Sequence, residues 1–136
     1  MDVTEMRGRV ARAPVARLAT IDERGRPHLV PLCFALEGDL LHSAVDEKPK
    51  RSRRLKRIDN IRLHPQVAVL VDHYEDDWSL LWWVRMRGDA RVVEAGPERE
   101  RGLELLLEKY EQYRAEPPRG PAIVVRVTEW RGWSAA

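Results

Sequence analysis

Apolar residues alternate with polar ones along most of this 136-residue chain, and helical spacing interrupts that alternation in three places. Residues 3–13 read as a short amphipathic helix that stops before Pro14, because the residue preceding proline avoids the α region. Strands are predicted over 15–21, 27–36 and 40–46, separated by the turn-forming runs Asp22-Glu23-Arg24-Gly25-Arg26 and Glu37-Gly38-Asp39. Short turns between three strands predict an antiparallel meander. Pro31 removes one ladder donor from the second strand and so places it at an edge or a bulge. Leu55, Ile58, Ile61 and Leu63 then recur at helical spacing, and Pro65 limits that helix to about Leu63.

The second half reads as strands over 66–74 and 80–88, the latter continuing to 94 past a bulge or turn at Gly88-Asp89. Pro97 opens a helix to about Tyr113 whose apolar face is Leu103, Leu106, Leu107 and Tyr110. The last strand runs from Ala122 to Trp130, with Arg131-Gly132-Trp133 after it. The sum is mostly β: six to seven antiparallel strands with two or three helices, in one domain over 1–136. Helix and strand do not alternate as a doubly wound parallel sheet requires. A small closed or partly closed β-barrel is the natural solution, because closure removes exposed edges.

Composition sharpens this picture. Hydrophobic residues are 43% and charged residues 34%, as in a soluble globular domain. No apolar run approaches the roughly 20 residues of a membrane span, and the first residues lack the apolar stretch of a secretory signal. Cys33 is the only cysteine, which excludes an internal disulfide and a multi-thiolate zinc site and points to the cytosol. The charge is unevenly spread. Residues 48–57 carry seven positive charges and no negative one, so removing them from a net charge of +2 leaves the rest at −5. Donors concentrated where a strand gives way to a helix suit a phosphate, a diester or a run of carboxylates. A solvated face is the plainer alternative. The acidic remainder and the lack of interleaved aromatics argue against nucleic acid.

Other chemistry is sparse. There is no phosphate loop, no dinucleotide fingerprint, no zinc-protease motif and no nucleophile elbow. His28, His42, His64 and His73 fall on different elements without ligand spacing. Cys33 reads as a buried, inert thiol in an apolar strand. Five tryptophans are many for this length, and alternation sends Trp82 and Trp83 to opposite faces, one into the barrel and one outward. Core packing or a subunit contact is the default for each.

Three segments carry a resemblance. They are Leu18-Ala19-Thr20-Ile21-Asp22 with Gly25-Arg26-Pro27-His28 and Pro31; Asp46-Glu47-Lys48-Pro49-Lys50 followed by Arg54-Leu55-Lys56-Arg57-Ile58, Asn60-Ile61-Arg62 and Pro65 to Asp72; and Trp78-Ser79 with Leu81-Trp82-Trp83-Val84 and Gly88. In order and spacing, over about residues 14–133, they resemble the pyridoxamine 5′-phosphate oxidase-like split β-barrel flavoproteins, and among them the branch described as F420-dependent. The resemblance implies a homodimer with cofactor sites at the subunit interface, a small-molecule substrate and no membrane. It implies coenzyme F420, or FMN as the alternative. Lys56 and Arg57, with Lys50, Arg51 and Arg54, match the family's phosphate-binding positions. The ring would lie along Val30, Pro31, Leu32 and Cys33, with His42, Ser43 and Val45 on the neighbouring strand. Trp78 and Trp82 or Trp83 would come from the second subunit. The tail of F420, a phosphodiester followed by glutamates, suits seven positive charges better than one phosphate does. No residue's type and setting demand a general acid, so no catalytic residue is named. The expectation is hydride transfer from reduced deazaflavin to a small conjugated acceptor. An FMN-dependent oxidoreductase and a non-catalytic cofactor carrier are the alternatives.

Overall fold

Hydrogen-bond pairing decides where each element ends. The computed structural model describes residues 1–46 and 55–136. Among the described residues seven strands form one wholly antiparallel sheet: β1 (Ala16–Ile21), β2 (Pro27–Leu32), β3 (Ala35–Glu37), β4 (Leu40–Ala44), β5 (Gln66–His73), β6 (Trp82–Val93) and β7 (Ala122–Ser134). Four helices are described: α1 (Val3–Arg12), α2 (Lys56–Leu63), α3 (Pro97–Lys109) and α4 (Glu111–Ala115). A 3-10 turn, Trp78–Leu80, precedes β6. No helix among the described residues is long and apolar enough to cross a membrane.

The sheet order is β2-β1-β5-β6-β7-β4-β3. The expected meander is therefore split. β1–β2 and β3–β4 are each hairpins, but β2 and β3 sit at opposite edges and do not pair. Only Cys33 and Phe34 separate Leu32 from Ala35, a link that spans at most about 11 Å. Seven strands laid flat would hold those edges about 29 Å apart. The sheet must curl until the edges meet, and a split barrel results. Pro31 lies on edge strand β2 opposite Arg17, where its missing N–H costs no ladder bond.

Side chains hold the crossing. Phe34 is fully buried. Its N–H donates to the Tyr110 hydroxyl oxygen at 3.0 Å, and the Lys109 Nζ donates to its carbonyl at 2.9 Å. The Ser43 hydroxyl donates to the Cys33 carbonyl at 2.8 Å. Cys33 is thus half-buried at the crossing rather than inside a strand, as the alternation had suggested. The same clamp breaks the long C-terminal helix. Tyr110 turns extended (φ −116°, ψ 117°) so that its hydroxyl lies 2.9 Å from the Pro14 carbonyl, and the expected helix over 97–113 divides into α3 and α4.

The inward sides of the strands, with Leu18, Leu41, Val69, Val71, Val84, Met86 and Val125, fill the barrel. Met6 and Val10 of α1 and Ile58 and Ile61 of α2 close its ends. Burying each large aliphatic chain contributes roughly 2 kcal/mol. The bulge expected at Gly88 lies between Arg87 and Gly88. A Cβ there would stand 2.2 Å from the Arg126 carbonyl oxygen, so only glycine permits this approach. β7 runs on to Ser134 because β6 offers it partners as far as Trp82.

His42 on β4 faces out of the barrel and is sealed beneath α3. It is 2% exposed, and neither ring nitrogen has a hydrogen-bond partner. Gly102 makes this fit: a Cβ there would lie 2.9 Å from the His42 Nδ1. Burial pushes the imidazole below its ordinary value of 6.5, against the pull of the Glu37 and Glu98 carboxylates and helped by the Arg101 and Arg91 guanidinium groups. Those arginines already pair with Glu37 and Glu98. The unfolded chain therefore takes up a proton near pH 6.5 that the folded chain refuses. Stability is full above that pH and falls on acidification, by up to about 1.4 kcal/mol per pH unit, until the folded histidine itself protonates. Urea unfolding between pH 7 and 5 should show this slope, and H42L should remove most of it.

Candidate functional site

Two hollows carry the polar chemistry, and they share no lining residue. The first lies over α2. Leu55 precedes the helix in extended conformation and gives no side-chain cap, so the first-turn N–H groups of Lys56 and Arg57 point outward without partners of their own helix. The Lys56 Nζ bridges both Glu23 carboxylate oxygens at 2.8 and 3.1 Å. That hydrogen bond holds Glu23 below the usual carboxylate range. The adjoining β1–β2 turn is built on Asp22, whose carboxylate accepts the N–H groups of Arg24 and Arg26, both at 2.9 Å. The Arg26 backbone bond is the main reason its pKa is lowered.

Asn60 positions the helix. Its side-chain amide donates to the Thr20 hydroxyl of β1 at 3.0 Å, and both residues are about 2% exposed or less. The hollow above them, about 540 Å³, is lined by Glu23, Lys56, Asp59, Asn60, Arg62 and Leu63. Asn60 stands in the resembling segment, but as a matched residue rather than as an anchor. Its structural role depends on a partner 40 residues away.

The second hollow is a cleft of about 540 Å³ on the outer face of β1, β5 and β6. Alternation along β6 turns Val84 and Met86 inward and Trp83 and Arg85 outward. Trp83 pairs with Trp133 of β7, and both line the cleft beside Leu29 and Leu70. Leu29 is 68% exposed and Trp133 47%. The Arg17 guanidinium meets the Asp72 carboxylate at 3.2 Å across the cleft wall. Arg85 lies 5.7 Å over the Trp83 ring. At the rim, His73 stacks on Trp82 at 6.5 Å and binds the Glu75 carboxylate.

The structure distributes the candidate residues among these places. Leu32 and Val45 belong to the core, so any contact they make with a bound ring runs through their backbone, while Val30 is half-buried and packs against that core. Pro31 is exposed on the edge strand. Cys33 and Ser43 meet at the crossing. His42 turns away beneath α3. Lys56 lines the hollow over α2, and Arg57 is half-buried beside it on the same helix. Trp82 packs against the core, 5.5 Å from Arg9 of α1, and also lines the cleft. Trp78 is 67% exposed and lies outside the cleft wall. Lys50, Arg51 and Arg54 fall in 47–54, outside the described residues.

Sequence reasoning missed Arg17, Asp72 and Arg85, although the alternation that places Trp83 outward places Arg85 outward too. It also missed Lys109. That amine sits 3.8 Å above the Phe34 ring, and burial pushes its pKa down to about 8. Among the described residues no group of three metal-ligating side chains converges.

A family model described as pyridoxamine 5′-phosphate oxidase matches residues 3–134. No curated protein matches the chain in sequence. Among solved structures, a conserved hypothetical protein from Mycobacterium tuberculosis is similar at 22% identity and TM-score 0.78, over 99% of this chain and 86% of that one. The FAD-binding protein from Mycobacterium smegmatis is 18% identical at TM-score 0.66, over 98% and 94%. A heme-binding protein from the same organism is 17% identical at TM-score 0.74; the match covers 96% of this chain but 57% of that one. These likenesses show the fold.

The Thr20–Asn60 bond carries its own test. N60A and T20A should each cost about 1–3 kcal/mol, because each strands a buried polar group. The double variant should cost less than the two singles together. Urea unfolding of the four proteins measures this cycle.

Proposed function

Because the chain belongs to the pyridoxamine 5′-phosphate oxidase family, we propose that it is an oxidoreductase that binds coenzyme F420 between two copies of itself. The observation that carries this reading is the charge of residues 48–57: seven cations in ten residues, the last two opening α2 at an N-terminus to which Leu55 gives no side-chain cap. One phosphate needs fewer. A phosphodiester followed by several carboxylates presents negative charge along a path of that length.

The residues present fit such a group. Lys56 and Arg57 offer two cations together with first-turn N–H groups and the positive end of the α2 dipole. β2 is an edge strand, so its outward backbone N–H and C=O groups are available to the heteroatoms of a planar ring. Val30 and Leu32 fix that edge from behind through the core. When bound, the deazaflavin supplies hydride transfer to an electron-poor, conjugated acceptor. The protein's share is to hold the tail, fix the ring against a rigid strand and exclude water.

The homodimer rests on the outer face. Leu29, Leu70, Tyr74 and Trp133 line the cleft and are all exposed, as are Trp78 and Leu80 outside its wall, and exposed apolar clusters of this kind mark interaction surfaces. A second copy laid on this face would cover it and enclose the cleft.

FMN or FAD is the second reading, favoured by the similar protein named for FAD binding. The heme-binding relative makes a carrier without turnover the third.

Tryptophan-fluorescence titration with F420, FMN and FAD in parallel separates them. F420 should bind at least about tenfold more tightly than either flavin, and K56A/R57A should weaken it by tenfold or more, the loss expected when two charged hydrogen bonds go. A flavin preference would move the protein to the second reading. Binding without hydride transfer to any quinone, nitroaromatic or enone would move it to the third. Sedimentation should give twice the 15.8 kDa of one chain. A monomer would remove the interface from the proposal.

A further inference from the structure

The outer cleft holds a guanidinium with no carboxylate partner among the described residues. Four charged groups line the cleft wall: Arg17, Asp72, His73 and Arg85. Arg17 and Asp72 satisfy each other, and His73 is bound to Glu75. Arg85 forms no ion pair among the described residues, and its Nε is buried with no hydrogen-bond partner. Its cross-strand neighbours worsen its position. Leu70 stands opposite it on β5, and a second cation, Arg131, stands opposite it on β7. Like charges directly opposite each other destabilise a sheet. Glu129, the one carboxylate nearby on β7, is already shared by Arg131 at 3.4 Å and Arg87 at 3.7 Å.

Packing holds Arg85 in this costly place. The guanidinium lies over the Trp83 ring, and Trp83 is flanked by Trp133. A flat apolar wall with one fixed, unsatisfied planar cation is the complement of a flat molecule with an anionic edge. We propose that the outer cleft takes a planar aromatic ligand bearing a carboxylate, and that Arg85 is the residue that selects for the anion. The proposal deepens the reading of this protein as an oxidoreductase by naming a substrate class: a conjugated acid rather than a neutral ring. It rests on the outer face carrying the ligand slot, but not on which cofactor binds.

Arg85 touches the ligand rather than any reacting atom we can name, so it is a specificity-determining residue. Its signature is the difference between a charged ligand and a neutral one of the same shape. A hydrogen-bonded ion pair in an apolar cleft should be worth about tenfold or more in affinity.

The probes are 2-naphthoate and 2-naphthylmethanol, read by quenching of tryptophan fluorescence in the full chain. Naphthoate should bind about tenfold or more tightly than the alcohol, and added salt should narrow the gap. R85M should bring the two within about twofold by weakening naphthoate alone, and R85K should restore part of the preference. Equal affinities in the unaltered protein would overturn the proposal without any variant having to fold. So would a preference that survives R85M. Sedimentation of R85M adds a third arm. If the variant falls apart into single chains while naphthoate binding is unchanged, Arg85 serves the contact between copies and the proposal is wrong. Titrating the same samples with F420 and FMN keeps the two readings separate. A naphthoate preference without cofactor binding would sink the oxidoreductase reading alone. Cofactor binding without that preference would sink this one alone.

Discussion

Everything in this fold depends on a link of two residues. Cys33 and Phe34 must carry the chain from one edge of a seven-stranded sheet to the other. No pattern of side chains can make a flat sheet meet that demand, so curvature is imposed by chain length before packing acts. Packing then holds the link. Phe34 drives into the core, and its backbone N–H and C=O, which no strand partner satisfies, are taken by Tyr110 and Lys109. An unpaired buried peptide group would cost about 1–3 kcal/mol. The clamp removes that cost at both ends of one residue. The amine that helps to do so is itself partly buried, and the face of the Phe34 ring offsets some of its desolvation.

The clamp fixes α3, and α3 fixes what lies beneath it. Tyr110 and Lys109 tie its end to the crossing, while the Arg91–Glu98 and Arg101–Glu37 pairs tie its start to β6 and β3. Between them Gly102 lets the helix descend onto His42. That close approach leaves no polar partner for the imidazole, so the neutral ring behaves as an apolar filler. The ion pairs around it are exposed and individually weak. Acidification therefore acts on this layer through the one sealed histidine rather than through the many surface charges.

Most of the strand and helix pattern was legible because alternation and helical spacing are local. Six of the seven strands, the Gly88 bulge and the alternation that packs Trp82 but not Trp83 against the core follow from residues within a few positions of one another, although both rings line the cleft. What was not legible depends on distant partners. The break at Cys33-Phe34 looks like continuous strand in the sequence, because Phe34 is as apolar as its neighbours. The division of α3 from α4 at Tyr110 has no proline or glycine to announce it; it follows from a hydroxyl reaching Pro14, 96 positions away. The site divides in the same way. The basic run is visible as composition, and Lys56 and Arg57 fall where a helix begins. Arg85 could be placed outward by alternation, but its isolation depends on Arg131 facing it and on Asp72 and Glu129 being engaged elsewhere.

A barrel closed by a peptide link rather than by hydrogen bonds keeps two free edges. β3 is three residues long and packs under α1 and α3, which leaves little of it to recruit another strand. β2 is twice that length and is paired on one side only. Pro27 and Pro31 blunt it by withholding two donors, yet its other outward-facing backbone groups have no strand partner, and Leu29 stands exposed beside them. The most available hydrogen-bonding edge of the sheet thus adjoins its most apolar open surface, since Leu29 lies in the wall of the tryptophan cleft. An edge of this kind invites uncontrolled strand pairing unless something specific occupies it. In the reading proposed above, a planar ring would satisfy that backbone and a second copy would cover the side chains. The same geometry that forces the seam to exist therefore leaves beside it an open edge that an interface ligand would close.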